Sequence, residues 1–246
     1  MNYKPLLAIT LGATLVLGCL AGCSSSSTTS EQSGTSSASN SSTETSTSSA
    51  SEARDPLDVS TITATNETSY QKITEQEFDD LSALVVDGKT YTVPASVSDF
   101  TNNGWVGAII SGESESVEAG KSTSAKLYKG SSGSADKIQI TCYNDSTSTK
   151  SWDECGITHW WVDFNLDTPT STYATSKGVG IGSSAEEVVA AYGNPTMLQE
   201  MSSTCYLDYK YDVYDLNIPY CGVTLGVSFE IDINTNSVVS MEIGNA

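Results

Sequence analysis

The chain has 246 residues, 11 Lys and Arg against 30 Asp and Glu, and a formal net charge of −19. Such acidity disfavours nucleic-acid and phosphate binding, which need basic patches, and it is repelled by an anionic lipid surface. It suits a solvated acidic surface, cationic partners or divalent ions. The sole arginine is Arg54 and the sole histidine His159, so a nucleophilic triad would have to use that one imidazole.

The N-terminus combines Lys4, an apolar run from Leu6 to Leu17 and the small residues Ala21 and Gly22 before Cys23. Positive, apolar and small-residue regions in that order make a secretion signal. The run is shorter than the ~20 residues of a spanning helix. Leu20-Ala21-Gly22-Cys23 resembles the lipobox of bacterial lipoproteins. The resemblance implies cleavage of residues 1–22 by signal peptidase II and diacylglyceryl and palmitate attachment at Cys23, leaving an extracytoplasmic protein anchored to the cell membrane. Cys19 is a weaker competing site. Removal of Lys4 takes the charge to −20. Residues 24–51 are almost entirely Ser and Thr and lack the apolar side chains that offset ordering entropy. Residues 23–68 are therefore assigned to a disordered tether. A long Ser/Thr tether behind a lipobox resembles Gram-positive surface lipoproteins more than outer-membrane ones.

Two α+β units are expected after the tether, over 69–176 and 177–246, each a short helix on an antiparallel β-meander. One continuous domain is the competing reading. Thr74 with Glu77, then Phe78 and Leu81, marks a first capped helix. Val85 to Val93 reads as a hairpin about Asp87-Gly88. Ser96 to Phe100 is a second short capped helix ending at Asn103-Gly104. Strands follow near 124–129, 137–143 and 157–166, with Trp160 and Trp161 on opposite faces.

In the last unit Ser184 and Glu187 form a capping box, and Gly193-Asn194-Pro195 ends the helix. Val223 to Ile233 alternates apolar and polar as a half-buried strand does. Asn234 to Ser237 turns the chain, and Val239, Met241 and Ile243 return. Asp232 to Asn236 imitates a calcium loop but has Ser237 and Ile243 where Gly and Glu are required, so no metal is assigned. Gly178 to Gly182 precedes a helix, but Glu186 and Glu187 in its first turn oppose phosphate. No cofactor is expected.

Gly178-Val179-Gly180-Ile181-Gly182, then Glu187-Val188 and Gly193-Asn194-Pro195, is similar to the opening of SmpA/OmlA-like and beta-lactamase-inhibitor-protein-like domains. These are small helix-plus-sheet units, sometimes in tandem and often on lipoproteins. The resemblance implies binding rather than catalysis and covers about 70 residues; it identifies no partner. The hairpin and short helix of the first unit also resemble uncharacterised clostridial-type lipoproteins.

Cys142, Cys155, Cys205 and Cys221 each share strand parity with apolar residues, and each sequential pair flanks a hairpin. Local disulfides, Cys142–Cys155 and Cys205–Cys221, are therefore expected, each closing a loop worth about 3 kcal/mol. No C-x-x-C spacing supports zinc. No catalytic constellation stands out: Asp153, Glu154 and Asp163 could pair, but acids are abundant throughout.

The densest functional signal is Tyr206, Tyr209, Tyr211 and Tyr214 with Asp208, Asp212 and Asp215. Tyrosine offers rigid contact area with a polar tip, so these residues form the candidate surface for an envelope protein or polymer. The alternative is that Tyr209 and Tyr211 face the sheet core. The expected function is a membrane-anchored binding or structural module, not an enzyme. An envelope hydrolase acting on cell-wall carbohydrate and a solute- or metal-capturing lipoprotein are the alternatives.

Overall fold

A computed structural model describes residues 54–164 and 168–245. The signal segment, Cys23 and the chain up to residue 53 lie outside the described residues. In chain order the elements are β1 (Gln71–Lys72), α1 (Glu75–Ser82), β2 (Leu84–Val86), β3 (Lys89–Tyr91), β4 (Ala95–Ser96) and α2 (Val97–Thr101). Then come β5 (Trp105–Ile109), β6 (Ser116–Val117), β7 (Ser122–Lys129), β8 (Lys137–Tyr143), β9 (Lys150–Ser151), β10 (Gly156–Asp163) and β11 (Tyr173–Thr175). The chain closes with α3 (Ala185–Tyr192), β12 (Met197–Glu200), β13 (Thr204–Asp212), β14 (Thr224–Asp232) and β15 (Ser237–Asn245). This is an α+β protein dominated by sheet.

Each helix starts where its capping residues require. Thr74, Ser96 and Ser184 accept from the backbone of the first turn, while Glu77, Asp99 and Glu187 reach back to the cap N–H. The Asp87-Gly88 turn has positive φ at both residues (49° and 77°), the geometry a two-residue hairpin needs.

The long strands form one ten-stranded sheet along the path β1-β13-β14-β15-β10-β8-β7-β5, with β12 on β13 and β4 on β10. All pairings are antiparallel except β1 on β13. The expected halves meet inside this sheet. The last strand of the first meander, β10, pairs with the last strand of the second, β15, through Trp160↔Ile243 to Asp163↔Ser240.

The three described α-helices lie on one face. Tyr192 of α3 packs on Tyr209 and Phe229, with centroids 5.0 and 5.3 Å away. Phe100 of α2 stacks on Tyr91 at 3.9 Å and meets Trp105 and Trp160. The Trp160 indole donates to Ser82 O at the end of α1, 3.0 Å away. Leu207, Val227, Phe229, Ile138, Ile140, Leu127 and Trp160 are fully buried on this face.

The packed chain begins earlier than the expected boundary at 69. Leu57 and Val59 are buried, and Leu57, Thr65 and Asn66 donate to Ile233, Pro195 and Thr196. The Arg54 guanidinium donates to Gly182 O and Asn236 O at 2.7 and 3.2 Å and lies 3.5 Å from Glu187. Residues 54–66 are thus a strap on the second half rather than tether. Two apolar side chains and one bidentate cation are enough to hold them.

Candidate functional site

The second face of the sheet carries the alternate residues, most of them half-buried or exposed and Ser240 buried. No helix packs on it among the described residues. Strand register sets its rows. Lys126, Gln139, Trp161, Glu242, Ser228 and Asp208 lie side by side across six strands. Beside this row run Tyr128 and Lys137, then Asp163, Ser240, Glu230 and Tyr206. Lys126 and Lys137 lie on β7 and β8, and Asp208, Glu230 and Glu242 on β13, β14 and β15, with Asp163 on β10 between them.

Trp161 occupies β10, the middle of the path from β13 to β5. Its side is 38 % exposed, and its indole N–H donates to Ser240 Oγ at 3.1 Å. That bond pins the ring along the sheet. Shallow depressions flank it: one of about 220 Å³ with Tyr206, Ser228, Glu230 and Glu242, another of about 190 Å³ with Lys126, Lys137 and Gln139. A third, about 190 Å³, lies over Gly226 and Gly244 beside His159, Asp208 and Lys210. All three are smaller than the ~300–1,000 Å³ of small-molecule pockets.

His159 lies flat over Gly244, where any side chain would collide with the ring. Its Nε2 is 2.8 Å from Glu242 Oε1, a charge contact when the ring is protonated rather than a linear hydrogen bond. This contact holds the Glu242 carboxyl below its ordinary 4.5, against the opposing effect of burial. Ser228 donates to Asp208, so its hydroxyl is directed away from the imidazole and is not an activated nucleophile. The carboxyls whose pKa is moved, Glu77, Asp87, Asp136, Glu186 and Glu242, all move down. A glycosidic general acid needs the opposite.

The tyrosine–aspartate cluster expected from sequence is split. Tyr206 and Asp208 face the open side, but Tyr209 is buried against Tyr192 and Phe229. Tyr211 packs against the core from the helix-covered face, and burial pushes its hydroxyl up to about 12. Tyr214 is exposed in a single 3-10 turn past the end of β13. Asp212 accepts from Tyr214 N at 2.9 Å, and Asp215 pairs with Lys72 at 2.5 Å. The period of two along β13 turns Tyr209 and Tyr211 to the covered face and leaves Tyr206, Asp208 and Asp212 on the open parity; Asp212, at the strand's end, is taken up by Tyr214 N, so Tyr206 and Asp208 are the two that line the site. Trp161, Glu230 and Glu242 join them through pairings distant in sequence.

Of the two expected disulfides, the strand register separates Cys205 from Cys221 and sets Cys142 beside Cys155. All four thiols are free and buried. Cys205 pairs with Ile231 at one end of β13, whereas Cys221 lies against Thr224 O, which belongs to the residue opposite Asp212 at the other end. Seven residues at ~3.3 Å each separate those ends by roughly 23 Å, far beyond the ~7 Å limit on a disulfide's Cα atoms. Cys142 and Cys155 are neighbours: Cys142 pairs with Ile157, two residues past Cys155. Burial raises the Cys142 thiol to about 12, and those of Cys205 and Cys221 to about 11.

The two remaining motifs engage their polar groups internally. The N-terminus of α3 is occupied by its own Glu187 and by Asn236, whose Oδ1 accepts from Ala185 N at 3.0 Å and whose amide donates to Glu186. Asn236, read from sequence only as a turn residue, is therefore a second cap. No group of three His, Cys, Asp or Glu side chains able to hold a metal occurs among the described residues.

No family model matches this chain, and neither a curated protein nor a solved structure matches it.

Proposed function

We propose that this chain is a lipid-anchored, extracytoplasmic protein of the bacterial cell envelope that acts by binding another envelope protein through its open sheet face. The observation that carries the reading is the uncovered face itself, with a pinned Trp161 at its centre and Tyr206, Asp208, Glu230 and Glu242 to one side. Crossing from β13 to β5 at about 4.8 Å per strand spans roughly 30 Å, and eight residues along a strand span about 25 Å. The resulting footprint is close to the ~800 Å² per partner of a standard interface. Aromatic anchors surrounded by polar groups are the usual energetic centre of such interfaces. The carboxylate-rich half and the overall charge of −19 favour a partner with basic and apolar groups.

The lipobox supports the anchoring. No described helix is long and apolar enough to cross a membrane, and the strap leaves on the helix-covered side, near the start of α3. The open face is therefore not obstructed by the strap. A capped helix followed by a meander occurs twice, α2 with β5-β7-β8-β10 and α3 with β13-β14-β15. That recurrence favours two tandem units fused edge to edge, in keeping with the SmpA/OmlA-like resemblance.

The test is a photo-crosslinking amino acid at Trp161 in intact cells, compared with the same residue at Ser60 on the strap. A discrete adduct from position 161 only, weakened by added salt, is the expected result. Equal labelling from both positions, or none from 161, would refute the assignment of the face.

A further inference from the structure

We propose that β5 is a second interaction surface, an open pairing edge, and that its occupant is β5 of another copy of this chain. β5 ends the sheet path on its side, whereas the opposite edge strand, β13, is partly covered by β1 and β12. The phase of the β5–β7 ladder follows from the bonds at its two ends. Gly130 N donates to Gly104 O, and Ile110 N donates to Ser124 O. In an antiparallel pair, alternate residues bond inward, so Gly104, Val106, Ala108 and Ile110 bond to β7. The N–H and C=O groups of Trp105, Gly107 and Ile109 then point outward, away from β7.

Edge strands are ordinarily protected by charge, proline or bulges. The run Trp105-Val106-Gly107-Ala108-Ile109 has no charge and no proline, and its pairing with β7 has no register shift. Val106 is 41 % exposed.

The run is also self-complementary. An antiparallel pairing about a two-fold axis at Gly107 sets Gly107 against its own copy, Trp105 opposite the other copy's Ile109, and Val106 opposite its Ala108. The outward groups of Trp105, Gly107 and Ile109 would supply about six backbone bonds, two for each facing pair. No charges oppose within the ribbon. The nearest like-charged residue, Lys126, lies one strand inward, opposite Ala108. Two copies of it would be three strand steps or about 14 Å apart, beyond the ~8 Å Debye length at physiological salt. An isologous two-fold contact closes on itself and joins two sheets into one, leaving the open faces free. A five-residue ribbon is smaller than a standard interface, so the association is weak in dilute solution and favoured where chains are concentrated.

The experiment mixes full-length Val106→Cys chains with full-length Ala108→Cys chains in an oxidised and reduced glutathione buffer. Residues 106 and 108 face each other as a pair without mutual backbone bonds, with Cα atoms about 4.5 Å apart, inside the disulfide range. A disulfide-linked dimer is expected from the mixture and not above the native-cysteine background from either variant alone. Loss of that dimer is expected when Ile109→Pro, which removes an outward N–H, is added to both, with circular dichroism of each variant checking the fold; Gly107 is left unchanged because a Cβ there would meet the Trp152 ring at 2.5 Å. No excess dimer from the mixture overturns the proposal, as does equal cross-linking by Val106→Cys alone, which would place the contact in another register.

Discussion

Asp136 is the buried charge that ties the three-stranded sheet β11-β2-β3 to β8 of the ten-stranded sheet, and its removal is the most informative perturbation of the fold. It is 4 % exposed. Its Oδ1 accepts from Thr170 N, Ser171 N and the Tyr173 hydroxyl at 3.0, 2.9 and 3.1 Å, and its Oδ2 accepts from the Thr170 hydroxyl. These bonds tie the chain entering β11 to the start of β8. Lys129 reinforces the same corner through Asp87 and Ser171, at 2.7 and 2.9 Å. Burial would raise the Asp136 pKa, but the donors from Thr170, Ser171 and Tyr173 outweigh it and hold the carboxyl below 3.8.

Asp136→Ala leaves these donors without an acceptor, and breaking such a buried charged network costs about 3–5 kcal/mol. Asp136→Asn keeps an oxygen at the Oδ1 position, and its amide can donate to Thr170 Oγ1 once that hydroxyl rotates; the expected cost is about 1–2 kcal/mol. A carboxyl with a lowered folded pKa stabilises fully above its unfolded value, near 3.8, and this contribution is lost as pH falls through the folded pKa. The gap between wild type and Asp136→Asn should therefore be widest at pH 6 and shrink below pH 4. Urea unfolding followed by tryptophan fluorescence at pH 6 and at pH 3 measures it. A gap that is unchanged between the two, or an alanine variant within about 1 kcal/mol of wild type, would refute the reasoning.

Three further outcomes are expected. Trp161→Ala should cost about 1–2 kcal/mol in urea, since most of the indole lies against the sheet and donates to Ser240 Oγ, and it should weaken the adduct formed by a photo-crosslinking amino acid at Tyr206; an undiminished adduct from a folded variant would move the interface elsewhere. Asn236→Ala should cost about 1–2 kcal/mol through the lost contact with Ala185 N and the positive φ of 45°, and Asn236→Gly less; equal costs in thermal unfolding would assign the whole effect to the cap. Alkylation at pH 8 should spare Cys142, Cys205 and Cys221 in the folded protein because their thiols stay protonated, and non-reducing peptide maps after oxidation should contain no Cys205–Cys221 link; finding one would contradict the β13–β14 register.

The halves of the candidate site were unequally legible. Opposite orientations of Trp160 and Trp161 follow from strand period alone, and the structure buries the first and exposes the second. The same period, counted from Cys205 through Leu207, already sets Tyr209 and Tyr211 on the apolar side. Aromatic density is a property of composition, and it misled where parity did not. Asp136 gave no signal, because its donors lie more than thirty residues downstream.

Local chemistry in the sequence determined the three capped helices, the Asp87-Gly88 hairpin and the alternating strand over 224–232. Each is decided by contacts within a few residues, whose energies do not depend on the rest of the chain. Strand period likewise settled which way Cys142 and Cys205 face, whereas Cys155 and Cys221 lie outside the strands. It could not settle which cysteines meet, because period fixes the face of a sheet and not the position along it. The β10–β15 joint, the strap held by Arg54 and the row from Lys126 to Asp208 were decided only by tertiary structure. They depend on the register of strands brought together from opposite halves, and register is selected by the packing of the whole buried face.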